Sequence, residues 1–166
     1  QKYSQVSDIV LQPDSANAPL DWSGAPTVGF EAGEIDNTNT DGTKSKHLVG
    51  EGGIPVPEKN VDEYPKRKTR INFRTFTLTY TVKNLSDEQY AFLRQLQCGY
   101  TDFKLWYATV GGHIFGGANG IDINAIDVDF PLGEGRDDKE RAILTISWDA
   151  DGDADRGNAP DFDNIT

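Results

Sequence analysis

Between residues 70 and 82 apolar and hydroxyl side chains alternate, with Phe76, Leu78, Tyr80 and Val82 interleaved with Thr75, Thr77, Thr79 and Thr81. A period of two in aromatic and β-branched residues marks a strand with one buried face. Ile71 and Phe73 fall on the other parity, so either a β-bulge near Arg74 re-aims the chain or the strand serves two surfaces, and both suit a long, bent strand. The spacing then becomes helical. Ser86 and Gln89 are placed as a capping box with Leu85 and Tyr90 as its hydrophobic staple, and they predict a helix over Asp87–Gln97. Tyr90, Phe92, Leu93 and Leu96 form its apolar stripe, Gly99 supplies its stop, and Cys98 reads as a small buried hydrophobe.

Three further strands are expected at 103–108, 121–130 and 142–148. The middle one switches parity between Ile123 and Ile126, predicting a second bulge near Ala125, and it forms a hairpin with the last around a turn at 131–138. A glycine-rich loop, Gly111 to Gly120, joins the first two. The expected fold is mainly β: a twisted antiparallel sheet, sandwich or partial barrel with one flanking helix at about 87–97.

This core occupies 70–148. Residues 1–69 are broken by six prolines and by polar, aperiodic sequence, so they read as an extended arm with short strands at most, such as 6–11 and 27–31. Residues 149–166 read as an acidic tail, mobile or bound to a partner. A chain of 166 residues suits one domain with such appendages.

The net charge of −11 argues against tight binding to phosphate backbones or anionic lipid. No apolar run approaches the ~20 residues a bilayer span needs. One cysteine permits no internal disulfide. The sequence begins at Gln1 and holds no methionine, so an initiator and further residues ahead of it are expected to have been removed or never included.

Candidate chemistry is sparse. Asp149, Asp151, Asp153 and Asp155 alternate around Gly152 and are the best candidates for oxygen ligands of Ca²⁺, although the register of a helix–loop–helix calcium site fails at Ala154 and Pro160; the simpler reading is a solvated acidic segment. His47 and His113 have no ligand-spaced partners, and neither they nor Cys98 sit in a nucleophile signature. The loop 111–120 lacks the Lys-Ser/Thr ending of a phosphate cradle and precedes a strand. Asp122, Asp127 and Asp129 are explained by the solvent faces of strands, and Trp22, Trp106 and Trp148 by a core. A secreted, calcium-dependent carbohydrate-binding module would instead use Trp22, Trp106 or Tyr107 as sugar platforms. No residue is marked as catalytic, and the chain reads as non-enzymatic.

The segments Thr75-Phe76-Thr77-Leu78-Thr79-Tyr80, Glu88 through Gly99, and Gly111-Gly112-His113-Ile114-Phe115-Gly116-Gly117 resemble structural proteins of tailed phages. The order of elements is similar to that of tail-tube subunits. The resemblance implies a virion protein assembled in the host cytoplasm, with an acidic lumen that lets DNA slide. Its partners would be copies of itself, through the N-terminal arm, the loop Gly111–Gly120 and the sheet edges, together with other virion proteins. Head decoration or connector proteins and extracellular bacterial filament subunits combine β-domains with arms in the same way.

Overall fold

The computed structural model describes residues 5–13, 46–64, 68–83, 85, 87–98, 103–116, 120–133, 140–154 and 156–158. These form a mainly β molecule with ten strands and one helix. The elements are β1 (Val6–Pro13), β2 (Lys46–Gly53), β3 (Glu58–Tyr64), β4 (Lys68–Lys83), α1 (Asp87–Gln97), β5 (Phe103–Thr109), β6 (His113–Phe115), β7 (Ile121–Asp122), β8 (Ala125–Asp129), β9 (Arg141–Ala150) and β10 (Arg156–Asn158). All pairings are antiparallel, and the order across the sheet is β10-β6-β5-β1-β2-β4-β9-β8, with β3 added to β4 and β7 to β5.

The connections dictate the curvature of this sheet. Only Ile123 and Asn124 separate β7, paired to β5, from β8, paired to β9. Three residue steps span about 11 Å at most, whereas the six strand-to-strand steps between β7 and β8 measured along a flat sheet total roughly 29 Å. The sheet must curl until its two sides nearly meet. Tyr107 of β5 and Trp148 of β9 accordingly lie with ring centroids 6.0 Å apart across the core. The sheet stays open, because among the described residues no ladder joins the two sides.

Helix α1 fills the resulting seam. Phe92 meets Phe103 of β5 edge to face at 5.9 Å, while the Gln97 amide donates to the Val128 carbonyl of β8 at 2.9 Å. Phe92, Leu93 and Leu96 are buried, and Tyr90 stands at the border of the stripe, 43% exposed and packed on Phe130. Cys98, expected in the core, is exposed. It follows Gln97 and falls about 190° around the helix from the centre of the buried stripe, which turns it away from the sheet. The capping residue Ser86 and the stop Gly99 lie outside the described residues.

Residues assigned by their sequence to an arm build much of the sheet. Strand β1 sits between β2 and β5, and Val6, Ile9, Leu11 and Leu48 join the main core. Val10 is buried on the opposite face, so β1 lacks the alternation of a half-solvated strand. The strand expected at 27–31 lies outside the described residues. The acidic segment is likewise incorporated: Asp149 and Ala150 finish β9, and β10 pairs with β6.

The first parity switch reflects a strand that serves two surfaces, with Phe73 exposed where Phe76 and Leu78 are buried. The register does jump between Asn60↔Phe73 and Val61↔Ile71, which places a bulge at Asn72, ahead of the switch. The second switch is no bulge. The chain leaves β5's side of the sheet after Asp122 and crosses to β9's side at Ala125.

Candidate functional site

The acidic run lies at the mouth of the seam. Asp149, next to last in β9, stands opposite Thr75, whose hydroxyl donates to Asp149 Oδ1 at 2.7 Å, and the Arg74 guanidinium donates to the backbone carbonyl of Asp151. A cleft of about 340 Å³ opens beside them, lined by Asp122, Asp149, Asp153, Trp148, Gly116 and Gly120 among others. Burial pushes the Tyr107 hydroxyl up to about 12, and the negative charge of Asp153 adds to the effect. The cleft is therefore rimmed by three exposed carboxylates over an aromatic floor, and it attracts cationic groups. Among the described residues no three His, Cys, Asp or Glu side chains converge as a metal requires. Asp151 presents a carbonyl already bonded to Arg74, and Asp155 lies outside the described residues.

The glycine-rich loop has a packing role within the chain. Gly116 and Gly120 adopt φ of 138° and 75°, and a Cβ on either would come within 2.6 and 2.8 Å of the Trp106 indole. The loop thus lies directly on Trp106, which is fully buried; residues 117–119 lie outside the described set. Tyr107 and Trp148 are also buried, so none of these three rings offers a face to a sugar, and Trp22 lies outside the described residues.

A polar cluster that no spacing reveals ties β1 to β2. Asp8 Oδ1 accepts from His47 Nε2 at 2.8 Å, and Asp8 Oδ2 accepts from the Ser7 hydroxyl at 2.8 Å. Burial would raise the Asp8 pKa, but these two hydrogen bonds and the His47 charge outweigh it and hold the carboxyl below its usual value. The Tyr80 hydroxyl lies 2.9 Å from the carbonyl oxygens of both Ser7 and Leu48, beside the irregularity in β1 between Val6 and Asp8. Burial pushes this hydroxyl far up, Asp8 adds to the shift, and a hydrogen bond from the Gly50 backbone opposes it. Serine, aspartate and histidine meet here in the wrong order for a nucleophile. The carboxylate stands between the hydroxyl and the ring, so His47 is placed to brace Asp8 rather than to deprotonate Ser7.

The two lateral surfaces of the sheet differ. At β8, the outward N–H of Val128 donates to Asp127 Oδ1 at 3.0 Å and its carbonyl accepts from Gln97, so the edge is capped by side chains. At β3 and the start of β4 the edges carry no further strand among the described residues. Strand β4 pairs with β9 from Arg74 to Lys83 and with β2 from Thr79 to Thr81; among the described residues its first six pair only with β3, and β3 only with β4. Pro55 and Pro57, which cannot donate to a ladder, separate β2 from β3. The result is a two-stranded ribbon reaching about 20 Å beyond the end of β9. Val61 and Phe73 are exposed on it, and Val56 is exposed just before it.

Comparisons with protein-family models, curated proteins and solved structures give no match. Among the described residues no helix is long and apolar enough to cross a membrane.

Proposed function

We propose that this chain is a structural subunit of a homo-oligomeric particle, a phage or phage-like tail tube of stacked rings around a DNA conduit. The observation that carries this reading is the β3–β4 ribbon. A two-stranded ribbon is marginally stable in water, and open backbone edges beside exposed apolar side chains are what a neighbouring subunit covers. The tube form draws support from the outer face of β4, β9 and β8. There Thr75, Thr77, Thr79 and Thr81 lie beside Thr145, Ser147, Asp127 and Asp129, a hydroxyl and carboxylate surface whose cations, Lys83 and Arg141, sit at one end. Such a wall repels a polyanion along most of its length. A head decoration or connector subunit, or an extracellular filament subunit, would use the same ribbon.

Negative-stain electron microscopy with light scattering, across protein concentration and salt, tests the reading. Rings or tubes of uniform diameter are expected. A strict monomer at every concentration whose melting temperature rises with calcium or glycan would overturn it in favour of a binding module.

A further inference from the structure

A second cleft, of about 360 Å³, opens at the other end of β9 from the acidic mouth. The β4–β9 ladder sets Asp149 against Thr75 at one end and Arg141 against Lys83 at the other, roughly 27 Å apart along the strand. The cleft lies between the first turn of α1, the exit of β8 and the entry to β9. Its volume is that of a small-ligand site. Its floor is apolar and fixed by the fold. Leu85 and Phe130 are partly buried against the main core, and Tyr90 rests on Phe130 with ring centroids 4.9 Å apart and planes inclined by 52°. Leu85 and Tyr90 are the staple at the start of α1, so the helix itself holds this wall. Leu132, 84% exposed, forms the lip beside Pro131.

The charges around this floor define what else a ligand must carry. Asp87 lines the cleft from α1 and Glu140 from the entry to β9. Both are exposed, and among the described residues neither has an ion pair or a side-chain hydrogen bond. Arg141 borders the cleft too, but it alternates with the buried Ala142 and Leu144 and shares the outer face with Ile143 and Thr145. By the same period of two, Glu140 falls on the inner side. Two unpaired carboxylates beside an exposed aromatic ring recognise an ammonium through charge and ring face together.

We propose that this cleft binds a small organic ammonium with an apolar body, the cation held by Asp87 and Glu140 beside the Tyr90 ring and the body seated on Leu85, Phe130 and Leu132. The acidic mouth at the other end of β9 also presents carboxylates, but its rings, Trp148 and Tyr107, are buried, so it does not favour an apolar cation over a bare one. Ammonium binding and assembly are independent properties, and neither needs the other.

Equilibrium dialysis of the full chain against phenethylammonium tests this whether or not the chain assembles. Phenylacetate keeps the ring and reverses the charge, and ethylammonium keeps the charge and lacks the ring. Saturable binding of about one phenethylammonium per chain is expected, with both comparison probes weaker by about five-fold or more. Asp87→Asn with Glu140→Gln should weaken binding by about five-fold or more, and Leu132→Ala by about three-fold. Asp149→Asn with Asp153→Asn, at the other mouth, should leave it unchanged. Circular dichroism melts check that each variant folds, and Leu132→Ala, at an exposed position, keeps the test available if the change at the start of α1 does not. Absence of saturable binding, equal binding of either comparison probe, full binding in the Asp87/Glu140 variant, or a loss that follows Asp149 and Asp153 overturns the site. Rings or tubes that form from a chain that binds no phenethylammonium overturn the site and leave the assembly reading standing.

Discussion

Among the described residues Asp8 is a carboxylate that its hydrogen-bond partners hold below the usual range. Its folded pKa is depressed, so the stabilisation it provides is fully present above the unfolded carboxyl's value of 3.8 and is lost as pH falls through the lower folded value. Thermal melts between pH 2 and 6 should therefore show wild type losing stability below about pH 4 more steeply than Asp8→Asn. At neutral pH that substitution should cost about 1–3 kcal/mol, since it removes a charged hydrogen-bond partner from His47. Equal slopes in the two proteins would remove Asp8 from this role. Two glycines allow a sharper comparison. Gly112 and Gly120 both have positive φ, but a Cβ on Gly112 meets nothing within 4 Å whereas one on Gly120 strikes Trp106. Gly112→Ala should lower stability by about 1 kcal/mol from backbone strain alone, and Gly120→Ala by about 2–4 kcal/mol because overpacking adds to it, as measured by urea midpoints. None of this was legible in the sequence. Asp8 and His47 are 39 residues apart, and a glycine-rich loop looks the same whether it drapes over an indole or reaches toward a neighbour.

Among the elements, β4, α1 and β9 were legible because each has one clear face toward the core and a period to match, whereas β5, buried on both faces from Leu105 to Ala108, was legible from its density of aromatic residues. Strand β1 resisted because it is buried on both faces, and β2 because Lys46-His47-Leu48-Val49-Gly50-Glu51-Gly52-Gly53 has neither alternation nor apolar weight. Its placement comes from the pairing with β1 and from Tyr80, both long-range. Strand β3 is a polar strand whose partner among the described residues is the start of β4, and β10 is three residues long. The edge device at β8 also belongs to this scale. Replacing Gln97 with Leu and Asp127 with Ala strips both caps from Val128. The double variant should melt at lower temperature, by about 1–3 kcal/mol in all, and should aggregate on concentration where wild type does not. Unaltered solubility and stability would show that α1 shields β8 by coverage alone.

For the whole molecule, the curled sheet follows from two short links rather than from any local propensity. Residues 123–124 and the short connector from Ala150 to Arg156 each join strands that are far apart along the sheet. The sandwich and partial-barrel alternatives left open by periodicity are thereby reduced to a curled, open sheet with α1 in its gap. The expected core at 70–148 was too narrow, since β1 and β2 complete it from before residue 54 and β10 extends the sheet beyond residue 155.

The central position of β1 has a consequence in time. Its partner β5 begins some 90 residues later, and β4 waits for β9 across a comparable stretch, whereas the β3–β4 ribbon needs only a hairpin. Loops of that length must close before their contacts reward the closure, which sets folding in the millisecond-to-second range of non-local β topologies. Stopped-flow refolding followed by tryptophan fluorescence should show a phase that slow; completion within microseconds would contradict the topology. At roughly 5–20 residues per second of synthesis, β1 spends several seconds on the ribosome without its neighbour β5, while the hairpin can already form. The ribbon is thus born before the body that carries it.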